Sequence, residues 1–350
     1  MYLHGGDPRY YFKKFGISER SVIDFSVNVN PFGPPDSVKK IWKDLFKKIH
    51  LYPTLTGEGV KKFYKKRLSI PENFILPGNG STEIIYLLPK ALDIEKIAIL
   101  KPSYYDYERA FKIAGKKIVS VYINPFRSDQ KNLREKILHA IYSSDAVFIG
   151  RPNNPVGYLV SKETIIEISK EFPKKWIIVD EAFIQFVKDW EKKTLMSEEI
   201  PGNVLVIHSL TKFYALAGIR IGALIAKEDV IRGVSEKKEP WTVNIIAESI
   251  AEVLSECYEY EKRTVDFVER EKERIVRKLD TAVIDPIKGE ANFILCRYRG
   301  DIERLILELL KKGIYIRDCR NFDGLEGNFF RIAIRKKEEN EKLISAITNI

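Results

Sequence analysis

The chain has 350 residues, 45% of them hydrophobic, and a formal net charge of +10. This is ample for a large core, and because no apolar run reaches about 18 residues, we expect no membrane span. The basic residues are interspersed with acidic ones, which argues against a nucleic-acid-binding arm. The three cysteines are typical of a reduced, cytoplasmic protein, and the four scattered histidines predict no metal site.

The N-terminal part of the chain predicts one strand, one loop and one helix. Residues 24–35 alternate apolar and polar side chains and end in Asn, Pro and Gly, so a strand leads into a turn-rich loop. Asn28 in this stretch suits either a binding pocket or ordinary turn chemistry. A helix is predicted over residues 36–50. We assign its apolar stripe to the core, and that stripe consists of Val38, Ile41, Trp42, Leu45 and Phe46.

A glycine-rich turn follows the next predicted strand. The segment Phe74–Glu83 indicates the order strand, turn, helix. Backbone N–H groups of Gly80, Ser81 and Thr82 at a helix N-terminus favour a phosphate, although an ordinary helix start has the same pattern. The segment is not the dinucleotide fingerprint, because Glu83 occupies the position of its third glycine.

Apolar runs then alternate with helical patterns, which predicts an α/β fold with a mostly parallel sheet covered on both faces. In such sheets, ligands bind at the carboxyl ends of the strands. Polar candidates follow four of the runs at such ends: Lys101–Tyr105, Arg151–Gly157, Asp180–Phe183 and Lys212. The runs are Ile97–Leu100, Ile118–Ile123, Ala146–Ile149, Trp176–Val179, Val204–Ile207 and Ile221–Ala226.

Lys212 follows one of these buried strands, and two hydroxyls and a guanidinium lie near it in the sequence. Burial and neighbouring cations lower the pKa of an amine, and a neutral amine attacks aldehydes to form a Schiff base. Ser209, Thr211 and Arg220 suit a phosphate. An aldehyde and a phosphate on one molecule describe pyridoxal phosphate, whereas the alternative is a solvated loop lysine. Asp180 ends another apolar strand and needs a partner, for which a protonated pyridine nitrogen, a helix cap or an ion pair are the candidates.

The last third of the chain has a different pattern. Residues 241–280 predict a long amphipathic helix with many opposite charges four apart. Residues 281–350 predict an α+β region. Arg331 and Arg335 lie four apart in a strand-like stretch, so we expect them on one face together with Arg317 nearby. Such arginines suit carboxylates and phosphates, although surface arginines are the common alternative.

Several segments together resemble the fold type I aminotransferase superfamily of pyridoxal-phosphate enzymes, in order and over essentially the whole chain. These segments are Gly78–Glu83, Asn153–Gly157, Asp180–Phe183, Ser209–Lys212 and Arg220. The resemblance implies a homodimer and bound pyridoxal 5'-phosphate. It also implies a large domain of residues 50–240 with a seven-stranded, mostly parallel sheet. A smaller α+β domain would combine residues 1–49 and 255–350, with residues 241–254 as the linking helix.

The resemblance also implies roles for individual residues. Lys212 would hold the cofactor covalently, Asp180 would pair with the ring nitrogen, Asn154 would donate to the ring 3-oxygen, and Tyr104 would stack on the ring. The cofactor phosphate would be bound by Ser81, Thr82, Ser209, Thr211 and Arg220, and by Tyr52 of the neighbouring subunit. The substrate would be bound by His4, Asn28, Arg317 and Arg331.

Within the superfamily, the chain resembles threonine-phosphate decarboxylases most and histidinol-phosphate aminotransferases next. The first resemblance implies conversion of L-threonine O-3-phosphate to (R)-1-amino-2-propanol O-2-phosphate in cobalamin synthesis. It also implies Phe183, where aminotransferases usually carry a tyrosine. The alternative is an aminotransferase that uses 2-oxoglutarate, and a third hypothesis is a non-catalytic binding module. The first resemblance rests on His4–Gly6, Asp24–Pro31, Pro240–Asn244, Ile316–Cys319 and Phe330–Arg335.

Overall fold

The computed structural model describes residues 5–348. The helices are α1 (Arg9–Phe15), α2 (Asp36–Phe46), α3 (Glu58–Leu68), α4 (Gly80–Ala91), α5 (Tyr105–Ile113), α6 (Gln130–Tyr142), α7 (Lys162–Glu171), α8 (Trp190–Lys193), α9 (Glu228–Ser235), α10 (Ile245–Leu254), α11 (Tyr258–Leu279), α12 (Ile302–Lys311) and α13 (Lys337–Thr348). The strands are β1 (Ile23–Asp24), β2 (Ile75–Asn79), β3 (Lys96–Lys101), β4 (Lys117–Tyr122), β5 (Ala146–Gly150), β6 (Trp176–Asp180), β7 (Val204–Ser209), β8 (Ile221–Ile225), β9 (Ile284–Ile287), β10 (Phe293–Tyr298), β11 (Ile314–Tyr315), β12 (Arg317–Asp318) and β13 (Phe329–Ala333). None of the helices within residues 5–348 is both long enough and apolar enough to cross a bilayer.

Within the described residues, seven strands form one sheet in the order β2-β8-β7-β6-β5-β3-β4. Strand β8 runs antiparallel to both of its neighbours, and the other paired strands run parallel. The predicted α/β fold with a mostly parallel seven-stranded sheet is therefore confirmed. Each predicted apolar run corresponds to a strand of this sheet.

The central strands are apolar throughout because both faces of the sheet are covered. In β6, Ile177 and Val179 pack into one core cluster and Ile178 packs into another. The same alternation holds in β7, where Val206 and Leu205 lie on opposite faces. A strand that is buried on both sides has no solvent face for polar residues. Polar side chains are therefore displaced to the strand ends, where the candidate site lies.

A smaller antiparallel sheet has the strand order β12-β13-β10-β9. The N-terminal segment is attached to this region, because β1 pairs in parallel with β11 and Phe25 exchanges backbone hydrogen bonds with Tyr315 and Ala333. This attachment directs the residues after Phe25 towards the carboxyl ends of the central strands of the large sheet, where the N–H of Asn30 donates to the carbonyl of Lys212. The division into domains at residues 50, 240 and 255 stays a prediction.

The assignment of the whole α2 stripe to the core was wrong. Val38 and Leu45 are buried, but Trp42 is 52% exposed and Phe46 is 74% exposed. On an α-helix, Phe46 is rotated by about 80° from Val38. The apolar stripe is therefore wider than the face that packs against the rest of this chain.

The predicted long helix over residues 241–280 is two helices, α10 and α11, separated at Ser255–Cys257. Asn244 caps the first helix by accepting from the N–H of Ala247 at 2.8 Å. At its end the Ser255 hydroxyl donates to the carbonyl of Glu252. Such local hydrogen bonds of serine compete with continuation of a helix, and the break has no glycine or proline to indicate it.

Arg335 does not share a strand face with Arg331. Strand β13 ends at Ala333, and Arg335 lies beyond it in an ion pair with Glu339, with Nη2 and Oε1 3.0 Å apart. The expected arginine pair on one face is therefore wrong for Arg335.

Candidate active site

A cavity of ≈ 240 Å³ lies at the carboxyl ends of the central strands and the start of α4. Segments after β1 and from the small sheet complete its wall. Most of the predicted site residues line it: Asn28, Ser81, Thr82, Tyr104, Asn154, Asp180, Ser209, Thr211, Lys212, Arg220, Arg317 and Arg331. The structure therefore brings together side chains from distant parts of the sequence.

One part of the cavity combines hydroxyls with a guanidinium. The Arg220 Nη2 donates to Thr82 Oγ1 at 3.3 Å, and the hydroxyls of Ser209 and Thr211 are 2.7 Å apart. Gly80, the first residue of α4, has φ +73°, and a Cβ there would lie only 2.7 Å from Arg220 Nη2. Glycine at this position thus leaves room for the guanidinium beside the helix N-terminus, where anions are favoured.

Lys212 follows β7 and reaches the same cavity. Burial, together with the nearby Arg331 and Arg220 guanidiniums, lowers the pKa of its amine to about 8. A substantial fraction of the amine is therefore neutral near physiological pH, which is the form that attacks an aldehyde.

Asp180 is buried at the end of β6 and accepts two hydrogen bonds. Tyr107 donates its hydroxyl to Oδ2 at 2.7 Å, and the N–H of Ala182 donates to Oδ1 at 2.9 Å. Burial raises the pKa of this carboxyl to about 6, and the two hydrogen bonds oppose that rise. The carboxylate has hydrogen-bonding capacity left for a cationic partner in the cavity.

Arg317 and Arg331 bring two guanidiniums to the cavity because they are direct partners across β12 and β13. Arg331 hydrogen-bonds Asn154 Oδ1 and donates to the Ser26 carbonyl at 3.0 Å. With its amide oxygen turned to Arg331, Asn28 accepts from Nη1 and Nη2 at 3.2 Å. Arg331 thus links the N-terminal segment to the loop after β5.

One predicted site residue of the described chain, Tyr52, is not in the cavity lining. Tyr52 is 82% exposed and its ring contacts Trp241, with centroids 5.5 Å apart. It was expected to act on a neighbouring subunit, and that role stays a prediction. His4 lies outside the described residues.

The cavity residues that sequence reasoning missed include Tyr107, Ser26 and Phe322. Tyr107 had a usable signal, because it lies three positions after Tyr104 at the start of a helix, so the two share a face. Phe322 has no such signal, since it lies in a loop that reaches the cavity through tertiary folding alone. Phe183, which was predicted without a role, lines the cavity and packs edge-on against Phe293.

The residues present fit pyridoxal 5'-phosphate. The hydroxyls, the helix start and Arg220 suit its phosphate, the Lys212 amine suits its aldehyde, and the Asp180 carboxylate suits its ring nitrogen. The space that glycine leaves at position 80 is the structural observation behind this fit, because a side chain there would displace Arg220.

Comparisons with known proteins agree with this geometry. The pattern of the family described as aminotransferase class I and II matches residues 20–347. The chain belongs to this family. A protein named putative threonine-phosphate decarboxylase from Caldanaerobacter subterraneus is 33% identical over 328 residues, which cover 92% of this chain and 89% of that protein.

Two solved structures have the same fold as this chain. The histidinol-phosphate aminotransferase from Clostridium acetobutylicum superposes with a TM-score of 0.85 at 33% identity, covering 93% of this chain and 98% of that one. The fold is also that of the Sinorhizobium meliloti histidinol-phosphate aminotransferase, solved with pyridoxal 5'-phosphate, with a TM-score of 0.85, 18% identity, and coverage of 99% and 95%. This member of the family is a pyridoxal-phosphate-dependent enzyme.

Proposed function

We propose that the chain decarboxylates L-threonine O-3-phosphate to (R)-1-amino-2-propanol O-2-phosphate, a step of cobalamin side-chain synthesis. The observation that carries this proposal is the cross-strand pair of Arg317 and Arg331 in the cavity, in addition to the cluster around Arg220. The cavity therefore has two cationic groups of residues. One suits the cofactor phosphate, and the other suits a substrate that bears a phosphate of its own.

The residues of this chain would divide the work as follows. When bound, the cofactor accepts the electron pair of the substrate Cα bond that stands perpendicular to its ring. Lys212 would hold the cofactor and move a proton at the substrate Cα. Asp180 would hold the proton on the ring nitrogen, Asn154 would donate to the ring oxygen, and Tyr104 would cover one ring face.

The choice of bond would depend on what Arg317 and Arg331 hold. If they bind the substrate phosphate, the carboxylate is left free to stand perpendicular to the ring and is lost as CO2. If one of them binds the carboxylate in the ring plane, the Cα–H bond breaks and transamination follows. Small differences in substrate position decide between these outcomes.

Phe183 supports the decarboxylase. Aminotransferases of the superfamily usually carry a tyrosine at this position, and its hydroxyl would lie near the ring oxygen. Here the side chain is an apolar ring in the cavity wall, packed against Phe293 with centroids 5.3 Å apart. Asn154 is then the remaining expected donor to that oxygen.

The alternative is an aminotransferase that acts on histidinol phosphate with 2-oxoglutarate. Overall identity supports it as well as the decarboxylase, because the identity to the Clostridium acetobutylicum enzyme and the identity to the decarboxylase relative are both 33%. Overall identity therefore does not discriminate between the two reactions.

The deciding experiment is to incubate the purified protein with pyridoxal phosphate and phosphothreonine and to measure CO2. We expect CO2 release without any 2-oxo acid, and Arg317→Gln together with Arg331→Gln should abolish it. Turnover of histidinol phosphate only on addition of 2-oxoglutarate, with no CO2 from phosphothreonine, would replace the decarboxylase with the aminotransferase.

We further propose that the enzyme is a cytoplasmic homodimer with the domain boundaries given above. The three cysteines are buried free thiols, which supports a reducing compartment. Large apolar side chains that are exposed on this chain support a second copy as partner, which would cover them. We call these residues together the apolar surface: Trp42, Phe46, Leu51, Tyr52, Leu55 and Trp241.

A further inference from the structure

We propose that Tyr107 is a positioning residue, whose hydroxyl fixes the Asp180 carboxylate as the acceptor for the cofactor's ring nitrogen. This rests on the role proposed above for Asp180. Asp180 would be of little use to the ring nitrogen if its carboxyl rotated freely or became protonated, because a neutral acid is a weaker acceptor.

The geometry leaves the carboxyl group one orientation. Each oxygen of Asp180 has its own donor, the Tyr107 hydroxyl on Oδ2 and the Ala182 N–H on Oδ1. The second donor is backbone of the segment that follows β6 and does not rotate. Of these two donors, a side-chain substitution can remove only the Tyr107 hydroxyl.

Two ring contacts hold the Tyr107 hydroxyl in place. The Tyr107 ring is stacked on Phe148 of β5, with centroids 4.0 Å apart and planes at 21°. It also meets the Tyr104 ring edge-on at 5.6 Å. The tyrosine is 4% exposed and is packed from both the helix and the sheet.

The charges around Asp180 make this hydrogen bond important. Glu181 beside it in sequence raises the pKa of Asp180, though its carboxylate is itself paired with Arg151. Tyr104 and Tyr107 face Asp180 from α5, and Lys212 lines the same cavity from the segment after β7. Burial and Asp180 raise the pKa of Tyr107 well above its usual value, so this phenol stays protonated and always donates.

The test is an infrared titration of the full-length, cofactor-free protein, in which the C=O stretch of protonated Asp180 is identified by its loss in Asp180→Asn. Wild type should titrate near pH 6. Tyr107→Phe keeps the stacked ring and removes the donor, and should titrate at least about one pKa unit higher. Phe148→Leu keeps the hydroxyl but removes the stacked ring, and should shift the titration less in the same direction.

Tyr158→Phe is the matched control. Tyr158 is another buried tyrosine of the described chain, but its hydroxyl has no hydrogen-bond partner there, so its removal should leave the titration unchanged. With cofactor added, Tyr107→Phe should raise the dissociation constant roughly tenfold, whereas Tyr158→Phe should not.

An unchanged titration in Tyr107→Phe would overturn the proposal for Tyr107. A different result concerns Asp180 itself: if Asp180→Asn binds the cofactor with wild-type affinity and wild-type absorbance over the pH range, the role of Asp180 is wrong. The two failures are therefore distinguishable.

Discussion

Lys212 combines two requirements that oppose each other in the folded protein. Its amine must be neutral to react, and burial provides this by lowering the amine pKa to about 8 from the usual 10.5. The same burial destabilises the folded protein at neutral pH, because folding then has to release a proton or bury a charge. Reactivity is gained at the expense of stability, as is common at active sites.

We therefore predict that Lys212→Met stabilises the cofactor-free protein at pH 7. Because the folded-state pKa lies below the unfolded-state value, wild type becomes more stable as pH rises from about 8 to 10.5. The advantage of the variant should be about 2 kcal/mol at pH 7, less than the full shift implies because the cavity admits solvent. It should shrink towards pH 10. Urea unfolding at both pH values measures it.

Lys227→Met serves as the control for this prediction, because Lys227 lies at the start of α9, outside the cavity lining, and donates to a backbone carbonyl. It should lack the pH-dependent gain. Equal pH dependence in the two variants would contradict the assignment of a lowered pKa to Lys212. Lys212→Met should also fail to bind the cofactor covalently, measured by borohydride reduction and mass spectrometry.

Individual site residues could be predicted from the sequence where a chemically suitable side chain follows a predicted strand. Asp180 and Lys212 follow apolar strands, so a shared cavity was predictable. The contact between Arg331 and Asn154 was not, because the two residues are separated by 177 positions in the chain. The hydrogen bond of Tyr107 to Asp180 was missed for the same reason, since it depends on how α5 packs on β5 and β6.

At the scale of elements, a buried ion pair secures the ends of the strands that carry the site. Arg151 after β5 pairs with Glu181 after β6, and both side chains are almost completely buried. Arg151 also donates to the carbonyls of Val160 and Lys193, at 2.6 and 2.7 Å. The pair lies next to Asp180 in sequence, so it holds the strand end from which Asp180 reaches the cavity.

We predict that Glu181→Gln lowers the free energy of unfolding by about 3–5 kcal/mol, because it leaves the Arg151 guanidinium buried without its counter-charge. The matched control is Glu167→Gln, which breaks an exposed pair with Arg134 at 3.8 Å and should change stability little. Chemical denaturation of both variants measures the difference. A loss as small in Glu181→Gln as in the control would mean that the buried pair does not hold these strands.

Helices and strands were predictable where the apolar residues of a segment follow a single spacing. Strands β3 to β8 of the large sheet are short apolar runs and were located within one or two residues. The break between α10 and α11 has no glycine or proline, and it depends on side-chain hydrogen bonds such as that of Ser255. The sequence could not distinguish the exposed apolar residues of α2 from the buried ones. An apolar stripe that packs on its own chain has the same periodicity as one that packs on a partner.

For the whole molecule, the position of Tyr52 connects the apolar surface to the active site. Its side chain is 82% exposed and lies against Trp241, outside the cavity lining. If Tyr52 binds a cofactor phosphate, as the family resemblance predicts, a second copy of the chain has to bring it there. A dimer with two-fold symmetry would complete both sites at once.

We predict that two defective variants complement each other across the dimer. Lys212→Ala lacks the reactive amine, so its homodimer should be inactive. Tyr52→Ala lacks the predicted phosphate contact, so its homodimer should be weakly active at limiting cofactor. In a mixed dimer, one site has Lys212 from one copy and Tyr52 from the other. Unfolding and refolding the mixture should then restore about a quarter of wild-type activity.

As control, a mixture of Lys212→Ala with Lys212→Ala/Tyr52→Ala should recover nothing. The absence of recovery in the first mixture, with dimers present by light scattering, would place Tyr52 outside the partner's site.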